Sequence, residues 1–509
     1  MRRRRRPVSP RKVAAWLWLL VLAGSGTSVV LAGAGNAPAR KPAAGQFPNV
    51  LFIAIDDLRP ELGAFGVSYA PTPNLDRLVR QGVAFTQHFV QVSTCGASRY
   101  ALLTGRSPAR SGVTRSNTAC YQGRSALSAE QLPGAQTMPE LFRRNGYHTV
   151  LIGKISHTPD GRVFAYNGKG NGRHELPHAW DELATPFGAW KRGWGTFFAY
   201  RGGRHREDGQ GHRDLMEFTA ENDVDLPDGL MAQAAIEKLE QMKKAKRPFF
   251  MGLGFFKPHL PFVATRRDWE AMSRVDVPPP RHPRRVKSPN WHGSGEFYKY
   301  DMPFKKTRPL APADSLRARR AYLACVRYTD RQVGKVLAAL DRLGLADETI
   351  VVVWGDHGWY LGEVALWGKH TVFERALRSP LIIRAPGRIA RPGRSSKAVV
   401  ETLDIYPTLV EMCRLRVRRT QFPLDGTSLG PILSGQSESV RTAAVSYWGP
   451  ALSVRTPTHR LITRKSAGGE PKKTELYDLR DGPDPVTDVV ASQPEVARTL
   501  LRILLERVR

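Results

Sequence analysis

Apolar runs of strand length alternate along this chain with segments of helical spacing. Pro48 to Ile55 is almost wholly apolar and stops abruptly at Asp56-Asp57. A short continuous apolar run of this kind predicts a central strand buried on both faces, as in a parallel sheet. Pro73 to Val79 has helical spacing, with Thr72 placed as an N-cap. Further on, the pattern predicts helices over Met138 to Asn145 and Gly229 to Lys244, and a long one within Ala311 to Leu343. Between them it predicts strands over Thr149 to Ile152, Pro248 to Phe255 and Thr349 to Trp354. Such alternation, with right-handed crossovers, gives a doubly wound α/β fold, a mostly parallel sheet sandwiched by helices.

In that fold, ligands bind beyond the carboxyl ends of the strands. Three of the apolar runs end there in polar residues: Asp56-Asp57, Lys257-Pro258-His259 and Asp356-His357. Carboxylates and imidazoles are therefore expected on one rim of one sheet. Residues 158–225, rich in Gly, Arg, His and Asp, read as long loops and a possible substrate-binding insertion; residues 278–312 are similarly loop-like and basic. After about residue 436 the pattern changes to short strand candidates at 444–448, 452–455, 459–463 and 475–479, then a closing helix over 494–508. The expected organisation is an export signal and linker over 1–45, a catalytic domain over 46–435 and a small antiparallel α+β subdomain over 436–509.

The first 45 residues differ from the rest. Arg2 to Arg6, Arg11 and Lys12 precede an apolar run from Val13, followed by small residues including Ala32-Gly33-Ala34. This is the form of a secretion signal, and the arginine run also permits a twin-arginine route. The run extends to about twenty residues, so an uncleaved membrane anchor is the alternative. The protein is expected to be exported, periplasmic or secreted. Net charge is +31; residues 1–45 hold nine of the positive charges and no acid, which leaves +22 on the body. A body so basic favours anionic partners, although arginine-rich solvated faces give the same total. No recognition helix, zinc finger or aromatic–basic motif points to nucleic acid. Four scattered cysteines at 95, 120, 325 and 413 make no disulfide framework and lack zinc-ligand spacing. Cys325 fits a helical core pattern, and pairing of Cys120 with Cys413 is left open.

The sharpest local signal is Cys95-Gly96-Ala97-Ser98-Arg99, followed by Leu103-Thr104-Gly105-Arg106. It resembles the type I sulfatase signature, the site at which a cysteine is converted to formylglycine (3-oxoalanine) by a formylglycine-generating enzyme. Ala97 stands where proline is commoner. The resemblance runs from about Asn49 to Glu475-Leu-Tyr-Asp, with the motifs in family order. Asp56-Asp57-Leu-Arg-Pro, Gly153-Lys154-x-x-His157, Lys257-Pro-His259-x-Pro-Phe, Asp356-His357-Gly-Trp and Leu366-Trp-Gly-Lys369-His-Thr look most like the iduronate-2-sulfatase-like branch, within the alkaline-phosphatase-like superfamily.

The resemblance implies a calcium site made by Asp56, Asp57, Asp356, His357 and the modified residue 95. Three carboxylates around one point need a cation to coexist, although imidazole is not a preferred calcium ligand. It also implies that a formylglycine hydroxyl attacks sulfur and leaves a sulfate ester that the second hydroxyl then releases. Arg99, Lys154 and Lys369 become the cationic clamp on the sulfate, and His259 or His157 the proton donor to the leaving alcohol. His370 is a weaker candidate for substrate contact. The implied substrate is a sulfated glycan fragment, with choline sulfate or another small ester behind it. Two rivals are a phosphatase or phosphonate monoester hydrolase of the same superfamily, and an inactive glycan-binding pseudoenzyme. Tyr360 and Val364-Ala365 depart from the residues common in relatives and bear on the sugar subsite.

Overall fold

The computed structural model describes residues 47–123, 126–127, 136–417, 423–466 and 469–508. The export signal or anchor expected over 1–45 lies outside these residues. Among the described residues, no helix is long and apolar enough to cross a membrane.

An eight-stranded sheet organises the molecule. Across it the strands run Arg394–Glu401, Val83–Phe89, Leu381–Arg384, Thr349–Gly355, Asn49–Ile55, Phe249–Phe255, His148–Gly153 and Glu182–Leu183. Every neighbouring pair is parallel except the two made by Leu381–Arg384. The four strands expected from apolar runs are the contiguous centre of this sheet. Their residues divide by parity between two helical layers. Leu51, Ile53 and Ile55 face the layer that holds Tyr322, Val326 and Met231, whereas Val50, Phe52 and Ala54 face Leu102, Leu141 and Tyr406. Burial on both faces is why these strands are continuously apolar rather than alternating.

The expected helices are present as Pro73–Arg80, Met138–Arg144, Pro227–Ala245 and Pro312–Arg342. Thr72 sits at the N-cap of the first, yet its hydroxyl caps no helix N–H. It donates instead to Asp76 (2.9 Å) and accepts from the Gly63 amide (3.0 Å). All four cysteines are free and buried, so Cys120 and Cys413 do not pair; Cys325 is core as expected.

The C-terminal strands Ala444–Trp448, Ala451–Arg455, His459–Lys465 and Pro471–Asp478 form a four-stranded antiparallel sheet in sequence order, followed by helix Pro494–Arg507. Residues 158–225 are more ordered than the loops expected from composition. They contain the short helix Gly193–Phe197 and the strand Met216–Ala220, which pairs with Phe262–Thr265. Trp194, Phe197, Phe198 and Tyr200 of this stretch are buried in the main core, and such burial offsets the loss of chain entropy that polar loops cannot recover.

Candidate active site

Cys95 is the first residue of a ten-residue helix, Cys95–Thr104, that is buried throughout. Extended Thr94 starts this helix and left-handed Gly105 ends it, as glycine does without a Cβ penalty. Gly96 is required by packing: a Cβ there would come within 2.3 Å of the Asn117 backbone. Its amide donates to Asn117 Oδ1 (2.9 Å), which ties the helix start to the neighbouring loop. Residue 95 thus lies at the N-terminal end of the helix, where the helix dipole favours an anion.

Two parallel neighbours bring the acids to it. The strand Asn49–Ile55 ends at Asp56-Asp57 and Thr349–Gly355 ends at Asp356-His357. The Asp57 amide donates to Asp356 Oδ1 (3.0 Å), and the Tyr322 hydroxyl donates to the Asp57 carbonyl (2.8 Å). Asp57 itself has φ 61°, a left-handed conformation held by these contacts. Cys95 Sγ is 3.4 Å from Asp56 Oδ1 and 3.3 Å from His357 Nε2. His357 Nδ1 is 3.0 Å from the Gly358 carbonyl, which only accepts; Nδ1 therefore donates there and Nε2 faces the cluster.

Cations surround these acids. Lys154 donates to Asp56, and Lys369 Nζ lies 2.7 Å from Asp57 Oδ1 and 3.3 Å from Cys95 Sγ. Lys154 follows a strand packed so tightly on its neighbour that a Cβ on Gly254 would meet the Lys154 backbone at 2.1 Å. Burial lifts Asp56, but Lys154, His259 and Arg99 outweigh it and hold the carboxyl well below its usual range. Burial keeps Asp57 well above that range despite Lys369 and His357. Burial depresses both lysines, and their carboxylate partners more than restore them, so both stay charged. Burial, with Asp56, pushes the Cys95 thiol up to about 12. An unmodified Cys95 is therefore a protonated, poorly nucleophilic thiol.

Arg99 reaches the acid cluster with Nη2, which lies 3.6 Å from Asp56 Oδ2, buried and without a hydrogen-bond partner. Its Nε donates to Asp356 Oδ2 (2.9 Å) and its Nη1 to the carbonyls of Lys154 and Ile155. Through Nε and Nη1 this buried guanidinium holds the acid and the lysine strand in register. His157 sits beside Lys154 with a buried, unpartnered Nδ1; burial and Lys154 push it well below the usual histidine range. Its backbone is fixed by Glu175, which accepts from the amides of His157 (3.1 Å) and Thr158 (2.8 Å) and from the Ser156 hydroxyl (2.6 Å). His259 Nε2 lies 3.2 Å from Glu296 Oε1, and its ring centroid is 4.7 Å from that of Phe197. His370 turns toward Ser294 (3.2 Å) and Trp448, at the rim.

Glu175, Glu296 and Phe197 were not legible as site residues. Each comes from an irregular stretch without period or motif, and only their place in space marks them.

The donors fit a hard cation. Asp56, Cys95, Asp356 and His357 each offer an atom within 4.8 Å of the others, as do Asp56, Asp57, Cys95 and His259. Asp57 Oδ2 is buried without a hydrogen-bond partner, an orphaned acceptor that a cation would satisfy.

This arrangement, acids and lysines around a residue at a helix start on the carboxyl rim of an α/β sheet, is that of a hydrolase acting on an anionic ester. The chain belongs to the sulfatase family, whose model matches residues 48–413, and it is a sulfatase, a hydrolase of sulfate esters. A second family model, N-sulphoglucosamine sulphohydrolase, C-terminal, matches residues 355–508. Human iduronate 2-sulfatase is 30% identical over 443 residues, covering 80% of this chain and 76% of that protein. The choline-sulfatase of Rhizobium meliloti is 25% identical, covering 87% and 82%. Among solved structures, the phosphonate monoester hydrolase of Agrobacterium radiobacter superposes with a TM-score of 0.69 at 23% identity, covering 90% of this chain and 95% of that one, a likeness of fold.

Proposed function

We propose that the protein removes sulfate from sulfated glycan fragments, with residue 95 matured to formylglycine and Ca²⁺ held by Asp56, Asp57, Asp356, His357 and residue 95. The observation that carries this reading is the convergence on Cys95 Sγ of Asp56, His357 and Lys369, all within 3.4 Å. The inert thiol supports maturation, because the aldehyde hydrate supplies a hydroxyl nucleophile where the cysteine supplies none. The cation supplies charge neutralisation for the crowded carboxylates and a Lewis acid at the reacting oxygen.

The chain's own residues do the rest. Lys154 and Lys369 bind sulfate oxygens, with the N–H groups of helix Cys95–Thr104 facing the same charge. Arg99 fixes Asp356 and the Lys154 backbone. His259 or His157 holds the proton that the leaving alcohol needs. Phe197, whose ring lies 4.3 Å from Lys154 Nζ and beside His259, excludes water from the pair. The glycan assignment rests on the likeness to iduronate 2-sulfatase and on the basic body. A formylglycine-generating enzyme is then an obligatory partner in maturation. Export rests on the basic and apolar pattern of residues 1–45.

Matched sulfate and phosphate esters of one alcohol test this reading. A higher kcat/KM for the sulfate is expected; a preference for phosphate would move the protein to the phosphatase and phosphonate hydrolase branch of the superfamily.

A further inference from the structure

Each of the two histidines that border the centre is backed by a buried ring from residues 194–198. Trp194 lies 5.7 Å from His157 and Phe198 lies 6.3 Å from His259, centroid to centroid. Two side chains nearer the solvent pack on these rings. Tyr166 stands edge-on to Trp194 (4.5 Å) and to Phe198 (5.8 Å), and the Arg206 guanidinium carbon is 3.4 Å from the Phe198 centroid. Tyr166 is 47% exposed, the most of any Phe, Tyr or Trp among the described residues.

This exposed ring is held rigidly. Tyr166 is the second residue of a tight turn that the Gly168 amide closes on the Ala165 carbonyl (2.8 Å), with Gly168 left-handed at φ 83°. Arg192 ties the turn to the Arg206 segment, because Nη1 donates to the Tyr166 carbonyl (2.7 Å) and Nη2 to the Glu207 carbonyl (2.8 Å). Burial raises the Tyr166 phenol above its ordinary range against the pull of Lys154 and Arg206, and Cys95 and Glu296 add to the rise. The ring is thus within electrostatic reach of the sulfate clamp and of residue 95. Arg206 keeps Glu207 on Nε (2.8 Å) and Nη2 (2.7 Å) and the Tyr300 hydroxyl on Nη1 (3.0 Å). That leaves one N–H on each Nη without a partner among the described residues.

We propose that Tyr166 and Arg206 form the subsite that selects the alcohol, with Tyr166 packed on the C–H face of a sugar ring and Arg206 meeting an acidic group of the same saccharide. This deepens the sulfatase reading above and rests on it. A tyrosine covers a large apolar face at little cost in side-chain freedom, and its rigid turn lowers that cost further. Arg206 also decides against a cationic alcohol. It occupies the face of Phe198 that a quaternary ammonium would need, and it repels a second positive charge. An acidic sugar sulfate is therefore the better ester and choline sulfate the poorer one.

Two esters test this, a sulfated disaccharide that carries a uronate and choline sulfate. Tyr166→Ala is expected to lower kcat/KM for the disaccharide by about tenfold, mostly through KM, with a much smaller loss on choline sulfate. Tyr166→Phe, which keeps the ring, should retain most of the wild-type preference. Arg206→Gln should raise KM for the disaccharide and lower it for choline sulfate. Equal losses on both esters in Tyr166→Ala, no loss on either, or a wild-type preference for choline sulfate would overturn the subsite and leave the sulfatase reading standing. If wild-type protein with formylglycine confirmed at residue 95 cleaves neither ester, the sulfatase reading itself fails, and this inference with it.

Discussion

Lys369 Nζ lies 3.3 Å from Cys95 Sγ, although 274 residues separate them in the chain. The sheet makes this meeting possible: Thr349–Gly355 delivers the Asp356 loop, and the chain turns back through Trp367–Gly368 to set Lys369 against the start of helix Cys95–Thr104. On the other side of Lys369 stands Asp57 at 2.7 Å, so one ammonium touches both the acid cluster and the residue on which the chemistry turns.

Lys369→Ala should therefore lower kcat by about 10²–10³-fold, the usual loss when one donor to a developing anion is removed. Steady-state kinetics on any turned-over sulfate ester check this; a loss under about threefold would remove Lys369 from the machinery.

Divalent cation should stabilise as well as activate. Asp56, Asp57 and Asp356 are packed at one point with Asp57 Oδ2 unpartnered. Binding at a hundredfold excess over Kd adds about 2.7 kcal/mol to stability. Thermal melting in EDTA should fall below that in Ca²⁺, and Asp57→Asn should erase the difference. Identical melting curves for the wild type in both media would contradict the calcium site.

Glu374 predicts an acid-sensitive joint between the short helix Glu374–Leu377 and the C-terminal sheet. It accepts from Arg455 Nε (2.9 Å) and Arg460 Nη2 (2.7 Å), residues of neighbouring C-terminal strands. Burial raises its carboxyl, but the two arginines outweigh that and hold it at about 2, below the ordinary 4.5. The pair's contribution is complete above pH 4.5 and is lost as pH falls toward 2. Glu374→Gln leaves two buried guanidinium groups uncompensated and should cost about 3–5 kcal/mol near neutrality. The gap in melting temperature between wild type and variant should narrow over that acid window. A gap independent of pH would show that the charge is not what the variant removes.

Much of this site was legible because its residues sit at strand ends. Asp56, Asp57, His259, Asp356 and His357 each follow an apolar run whose buried length fixes where the chain leaves the sheet. Strands such as Val83–Phe89 and Leu381–Arg384 were not foreseen. The first mixes Thr, Gln and His into its run, and the second is only four residues long, so neither carries a periodic signal. Arg99 was foreseen as part of the site but not its orientation. Side-chain direction is set by which buried acceptors need a donor, here Asp356 and the Lys154 carbonyl, and no motif encodes that. Glu296 was invisible for the same reason. It is one of two acids, with Asp301, in a stretch of arginines and lysines, and composition made that stretch read as a solvated loop.

The central claim is tested most directly by free sulfate release from sulfated disaccharides and small sulfate esters. Protein co-expressed with a formylglycine-generating enzyme would be compared with its Cys95→Ala variant. The account predicts sulfate from the wild type alone, with the aldehyde found at residue 95 by peptide mass spectrometry. Full release by Cys95→Ala would contradict it, since alanine leaves no group at residue 95 to attack sulfur.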